Sequence, residues 1–113
     1  MSERRRIGRR YLIAEVKVNP LDGREPMGAE AVDINRGGMG VYLLNEVREG
    51  EKVLVEVIFA TEDDTRVTEE INGIIRWVHP VGGNYAAGIK FDEAVTKKYY
   101  PALSACLGRG KTE

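Results

Sequence analysis

The sequence has little of what most catalytic and metal sites require. It contains one cysteine, Cys106, and one histidine, His79, which excludes an internal disulfide and any cysteine-rich or histidine-rich metal site. No serine lies between Gly38 and Phe91, so the sequence has almost no residues from which a Ser-His-Asp or Cys-His nucleophile could be built. These absences argue against an enzyme, and the low cysteine content suits a reducing cytoplasm.

Long apolar runs and a strong net charge are also missing. No apolar run approaches the length of a membrane span, and the charged N-terminus lacks the hydrophobic region of a secretory signal. The acidic run Glu62-Asp63-Asp64 lacks the spaced ligands of a cation loop, so we expect no metal site. The net charge of −1 conceals an asymmetry, because five arginines lie in the first ten residues. The remainder of the chain is acidic overall.

Alternating apolar residues predict six short β-strands. They cover residues 11–18, 27–35, 38–44, 52–60, 66–78 and 84–91. Gly73 lies inside the fifth strand and predicts a bulge or sharp bend there. Short connections predict antiparallel pairing, and six short strands bury their apolar faces most easily by closing into a small barrel. The fold class is therefore mainly all-β.

The end of the chain changes to helical spacing. Apolar residues recur every three to four positions over residues 92–107, which predicts one helix packed across an end or flank of the barrel. Pro101 predicts a kink there, or two short helices. We expect one domain with a flexible basic arm at 1–10, the barrel and helix at 11–107, and a polar tail at 108–113.

The stretch from Asp33 to Gly40 combines a carboxylate, an amide, a guanidinium and three glycines. Taken alone, it is equally well interpreted as a wide hairpin turn or as a polar turn that a ligand approaches closely. Asp33 and Asn35 can hydrogen-bond the edge of a nucleobase, and arginines of the basic arm can bind phosphates. Trp77 is either a core or rim residue or a stacking surface for a ring. Together these features predict a nucleotide site.

Two motifs give this sequence its resemblance to a known family. Arg5-Arg6-Ile7-Gly8-Arg9 matches Arg-x-x-x-Arg, and Asp33-Ile34-Asn35-Arg36-Gly37-Gly38 matches Asp/Asn-x-Ser-x-x-Gly except at Asn35. The motifs lie about two dozen residues apart, and Trp77 with Gly88-Ile89-Lys90-Phe91-Asp92 is similar to the late strands of the same family. Over roughly residues 4–107 the sequence resembles a PilZ domain, the bacterial receptor module for cyclic di-GMP. The arginine run also permits the register Arg6 and Arg10.

The resemblance implies a six-stranded antiparallel β-barrel of PilZ type with a C-terminal α-helix. It implies that Arg5 and Arg9 contact phosphate and guanine, that Asp33 and Asn35 bind guanine polar groups, and that Gly38 lets the backbone come close. Arg4 adds a guanidinium that favours a second, stacked cyclic di-GMP. Trp77 completes the expected ligand site, and no other cofactor is expected.

The expected function is binding rather than catalysis, in a cytoplasmic single-domain receptor or adaptor. Cyclic di-GMP would order the arginine arm onto the barrel and so present a surface to a partner protein. Neither membrane insertion nor DNA or RNA binding is expected. The first alternative is a PilZ-like interaction module that binds no nucleotide, which the asparagine at Asn35 favours. The others are a nonspecific nucleic-acid binder and, least favoured, an enzyme.

Overall fold

Residues 10–111 form six strands followed by one helix. This computed structural model describes residues 10–111, with the side chains of residues 10–107. The elements are β1 (Tyr11–Pro20), β2 (Met27–Asn35), β3 (Gly38–Leu43), β4 (Lys52–Thr61), β5 (Arg66–Val81), β6 (Asn84–Phe91) and α1 (Pro101–Lys111). All six predicted strands are confirmed, and their ends differ from the prediction by at most three residues.

The strands close into an antiparallel barrel in the order β1-β2-β3-β6-β5-β4. Four of the pairings join consecutive strands, and the barrel is closed by two others, β1 with β4 and β3 with β6. Residues far apart in sequence therefore become neighbours on the surface where β6 lies between β3 and β5. The predicted closed barrel is confirmed.

The core is built from alternate positions of the strands. In β4, Val53, Val55, Val57 and Phe59 all point inward and are fully buried, as the alternation predicts. Burial of each such side chain contributes about 1.5–3 kcal/mol to the stability of the folded state. The ring of Tyr11, at the start of β1, packs edge-on against Phe59 with centroids 5.9 Å apart.

The helix begins at Pro101, so the prediction of a helix from residue 92 is wrong. Proline suits the first helical position because its missing N–H is not needed there. The first turn of α1 contains no acidic residue. Glu69 of β5 supplies the cap instead, because its carboxylate accepts the N–H groups of Ala102 at 2.7 Å and Leu103 at 2.9 Å. The backbone of α1 continues to Lys111, beyond the expected end of the helix.

The loop between β6 and α1 is held by buried contacts. Val95 is buried, and the Tyr100 hydroxyl donates a hydrogen bond to Glu93 Oε2 at 2.5 Å. Burial and the neighbouring Glu93 carboxylate raise the pKa of Tyr100 to about 12. This loop matters for the site because it supports the tip of the β2–β3 hairpin.

Candidate functional site

The stretch from Asp33 to Gly40 forms a tight hairpin. Only Arg36 and Gly37 lie between β2 and β3, since Asn35 pairs directly with Gly38. Asn35 Oδ1 accepts the Gly37 N–H at 2.8 Å, and Asp33 Oδ1 accepts the Gly40 N–H at 3.0 Å. Within residues 10–107, Asp33 Oδ2 and Asn35 Nδ2 make no hydrogen bond. Each side chain is therefore fixed through one atom and exposed through the other.

The hairpin tip is anchored to Phe91 at the end of β6 and to Val95 in the following loop. The Gly37 carbonyl accepts the Phe91 N–H at 2.8 Å, and the Arg36 carbonyl accepts the Val95 N–H at 2.9 Å. The Arg36 guanidinium returns a hydrogen bond to the Val95 carbonyl at 3.0 Å. Arg36 therefore has a structural role, and it holds the neighbouring Asn35 in place.

Three glycines on this surface are required by close packing rather than by an unusual φ. A Cβ at Gly38 would lie 2.3 Å from the Ile89 carbonyl oxygen, so this glycine brings β3 close to β6. A Cβ at Gly40 would lie 2.7 Å from Asp33 Oδ1. A Cβ at Gly88 would lie 2.1 Å from Trp77 Nε1, so the indole lies directly over this glycine.

A polar cleft of about 320 Å³ joins the hairpin to β5 and β6. It brings together four of the residues predicted from the sequence, which are Asp33, Asn35, Gly38 and Trp77. Arg4, Arg5 and Arg9, the other three predicted site residues, lie outside the described residues. The cleft also contains two cations that the sequence interpretation missed, Arg76 and Lys90. The sequence offers only their positions as a signal for these two cations. Arg76 directly precedes Trp77, and Lys90 lies two residues after Gly88.

A bulge in β5 shapes one wall of the cleft. The register with β6 shifts between Ile75 and Trp77, so Arg76 is the extra residue. Arg76 and Trp77 are consecutive, yet both are exposed on the outer surface. The predicted bulge at Gly73 is wrong, because Gly73 pairs regularly with both neighbouring strands. Glycine is needed there for space, since a Cβ would lie 2.8 Å from the Lys90 carbonyl oxygen.

Trp77 belongs to the outer surface of the barrel and not to its core. Its side chain is 40% exposed, and its ring lies 5.2 Å from the ring of His79. One side of the indole rests over Gly88, which leaves an apolar surface beside the cleft. This placement favours the stacking interpretation of Trp77.

A larger cleft of about 680 Å³ lies on the other side of the hairpin. It shares Asp33 and Asn35 with the polar cleft, but its remaining lining is mainly apolar, including Ile13, Ile34 and Leu107. The polar cleft is the better candidate for an anionic, hydrogen-bonding ligand, because it combines two cations with the carboxylate and the amide.

Other chemistry finds no support in the described part of the chain. Between residues 10 and 111 no group of three histidine, cysteine, aspartate or glutamate side chains is placed to hold a metal ion. Across the same residues, no helix has the length and apolar character needed to cross a membrane.

The family model for the PilZ domain matches residues 3–107. The chain belongs to the PilZ domain family. PilZ domains are non-catalytic receptors for cyclic di-GMP, so the prediction that this chain is not an enzyme is confirmed. The match begins at residue 3, ahead of the arginine motif, and includes the hairpin and the helix start.

The fold of this PilZ domain is also similar to a solved structure, that of the Bacillus subtilis inhibitor of motility (MotI/DgrA). The TM-score is 0.67 at 16% sequence identity, over 93% of this chain and 50% of that one. The PilZ domain described here thus spans about half the length of the solved protein. At this identity the likeness establishes the fold. No curated protein matches the sequence.

Proposed function

We propose that this PilZ domain binds cyclic di-GMP and acts as a receptor or adaptor in second-messenger signalling. The observation that carries the proposal is the polar cleft. In it, Asp33 and Asn35 keep hydrogen-bonding atoms available beside the exposed ring of Trp77. Guanine fits this combination because its edge offers both N–H donors and acceptors and its face can stack.

The roles of the residues follow from their chemistry. Asp33 Oδ2 accepts from guanine N–H groups, Asn35 Nδ2 donates to a guanine acceptor, and Trp77 stacks against the base. Gly38 leaves the hairpin backbone open to the ligand. The closest Cβ contact at Gly38, however, is with Ile89, so this glycine is needed for the barrel as well.

The basic arm provides the phosphate contacts in this proposal. Arg5 and Arg9 bind the ligand phosphates, and Arg4 supports a second stacked cyclic di-GMP, so that two ligands bind per chain. Neutralising these arginines draws residues 1–10 onto the barrel and changes the surface offered to a partner protein. Hydrogen exchange tests this step, since the amides of residues 2–10 should gain protection on adding cyclic di-GMP; unchanged exchange would reject the arm mechanism.

Calorimetric titration of the full chain tests the function directly. We expect cyclic di-GMP to bind, cyclic di-AMP to bind much more weakly, and Arg9→Ala to weaken binding about tenfold or more, the usual cost of a charge-assisted contact. Arg66→Ala is the matched control, because it removes the same charge from the start of β5, away from the clefts. Arg4→Ala should reduce the stoichiometry from two to one.

A second candidate function is a protein-interaction module that binds no nucleotide. The observation that favours it is Asn35, which stands where the family motif has serine. In that case calorimetry detects no binding of cyclic di-GMP to the wild-type chain, and Arg9→Ala leaves the affinity for the partner protein unchanged. A cytoplasmic location is part of the first proposal, because a receptor must share a compartment with its second messenger.

A further inference from the structure

We propose that Arg76 and Lys90 form a phosphate-binding subsite built into the barrel itself. They line the polar cleft together with Asp33, Asn35 and Trp77. The identity of the ligand rests on the proposed function, but the subsite rests on the placement of the two cations. Its ligand class is a phosphate diester or another phosphate anion attached to a planar base.

The fold presents both cations on the same outer surface. Arg76 is the extra residue of the β5 bulge and points outward with Trp77. Lys90 lies between the buried residues Ile89 and Phe91 of β6, so alternation turns it outward as well. Lys90 pairs with Ile74, two residues before Arg76, and neighbours at such diagonal positions lie roughly 7–8 Å apart, with their Cβ atoms somewhat closer. A single phosphate group can therefore lie within reach of both side chains.

Neither cation has a partner among the described side chains. The side chains of Arg76 and Lys90 make no hydrogen bond or ion pair within residues 10–107. By contrast, Arg24 contacts Asp22 and Glu51, and Arg36 binds a backbone carbonyl. Outside the first ten residues of the chain, acidic residues outnumber basic ones by 17 to 12. Two neighbouring cations that have no partner within residues 10–107 provide a local attraction for an anion on such a chain.

The rest of the cleft sets the direction of the ligand. Gly38 pairs with Lys90, and Gly40 pairs with Gly88. These three glycines, Gly38, Gly40 and Gly88, form a floor without side chains between the hairpin and β5, called the glycine floor below. Asp33 and Asn35 stand on the hairpin side of this floor, and Arg76 and Trp77 stand on the β5 side. A base bound by Asp33 and Asn35 therefore directs its attached phosphate across the glycines towards Arg76 and Lys90.

The subsite consists of barrel residues alone, so it can bind a base and a phosphate without a contribution from residues 1–9. Long-range attraction by Arg76 and Lys90 should increase the association rate, and this increase should decline with salt.

The test compares two charge-matched double variants of the full chain. Arg76→Gln with Lys90→Gln removes two charges from the cleft, and Lys17→Gln with Arg66→Gln removes two charges from β1 and from the start of β5, away from the cleft. We expect cyclic di-GMP affinity to fall about tenfold or more in the cleft variant and to stay within about twofold in the control. The charge-conserving pair Arg76→Lys with Lys90→Arg should retain affinity within about threefold. Thermal melting checks that each variant is folded.

Trp77 gives a readout that does not depend on cyclic di-GMP. It is the only tryptophan, so its indole N–H signal in NMR spectra reports on the cleft alone. We expect inorganic pyrophosphate to shift this signal in the wild type and in the Lys17 and Arg66 control, and not in the Arg76 and Lys90 variant.

The two readouts separate the subsite from the function. If the wild type binds cyclic di-GMP and the cleft variant binds it equally well, the subsite is rejected and the proposed function stands. If the wild type does not bind cyclic di-GMP, while pyrophosphate still shifts Trp77 in a manner dependent on Arg76 and Lys90, the subsite stands and the proposed function fails. An equal pyrophosphate shift in all variants also rejects the subsite.

Discussion

Two polar hairpins of this barrel differ in how they use their side chains. In the β4–β5 hairpin, Asp63 Oδ1 accepts hydrogen bonds from the Thr61 hydroxyl at 2.5 Å and the Thr65 N–H at 3.3 Å. These bonds from Thr61 and Thr65 lower the pKa of Asp63. In the β2–β3 hairpin, Asp33 and Asn35 each use one oxygen internally and keep their other polar atom available within the described residues.

The difference shows that a polar turn becomes a site through its neighbours. β3 is paired with β6, and β6 with β5, which brings Trp77, Arg76 and Lys90 next to the β2–β3 hairpin. In the β4–β5 hairpin, Thr61, Asp63 and Thr65 bond to one another within the turn.

The largest expected effect is on folding, at Gly38. Gly38→Ala places a methyl group against the Ile89 carbonyl and should reduce the free energy of unfolding by about 3 kcal/mol, since backbone cannot move aside cheaply. Urea denaturation measures it. The counterpart in the other hairpin is Asp64→Gly, where φ is 69° and glycine fits the left-handed conformation. There we expect a change below about 1 kcal/mol. Equal losses at the two positions would contradict the packing role of Gly38.

The second-largest expected effect is on the affinity for cyclic di-GMP, and it distinguishes Asp33 from Asp63. Asp33→Ala should weaken cyclic di-GMP binding roughly 30-fold, about 2 kcal/mol, because a charged acceptor for guanine is lost. Asp63→Ala, which removes the same charge from the β4–β5 hairpin, should leave the affinity unchanged. Calorimetry on both variants provides the measurement, and a similar loss in both would remove the distinction between the hairpins.

A smaller effect is expected at Asn35. Asn35→Ser introduces the residue of the family motif, and the serine hydroxyl can still accept the Gly37 N–H while occupying less space. We expect cyclic di-GMP to bind about threefold more tightly, a gain of ~0.7 kcal/mol. Weaker binding by the serine variant would show that the asparagine amide itself contacts the ligand productively.

The smallest effect is on acid stability, in the β4–β5 hairpin. Because the pKa of Asp63 lies below its ordinary value of 3.8, its stabilising contribution is present above that pH and is lost as the pH falls through the lower folded-state value. Asp63→Asn should therefore be less stable than the wild type at pH 7, and the difference should shrink at pH 2–3. Urea midpoints at the two pH values measure the change; a constant difference would mean that ionisation of Asp63 is irrelevant to the turn.

The sequence predicts the strands well because burial alternates along them, most clearly from Val53 to Phe59. It misplaces the helix start because Val95 and Tyr99 match helical spacing by coincidence. In the structure, Val95 is buried in a loop held by Arg36, and the helix begins only where Glu69 caps it. A helix cap that comes from a distant strand cannot be predicted from the sequence around the helix.

The sequence predicts only part of the candidate site, because strand pairing brings the other residues to it from distant parts of the chain. Asp33, Asn35 and Gly38 are consecutive in a motif, so their proximity follows from the chain itself. Arg76 and Lys90 join them only through the β5 bulge and through the pairing of β6 with two strands. Alternation along β5 and β6 turns both cations outward, but it does not reveal that these strands lie beside the hairpin, so neither cation could be assigned to the site from alternation alone.

The position of β6 has a consequence for folding kinetics. β6 comes last among the strands, yet it separates β3 from β5 and completes the wall that carries the polar cleft. Closing the barrel therefore waits for a contact between distant parts of the chain, a feature typical of domains that fold in milliseconds to seconds. Because the cleft does not exist before that step, a bound ligand should slow unfolding and leave the folding rate unchanged.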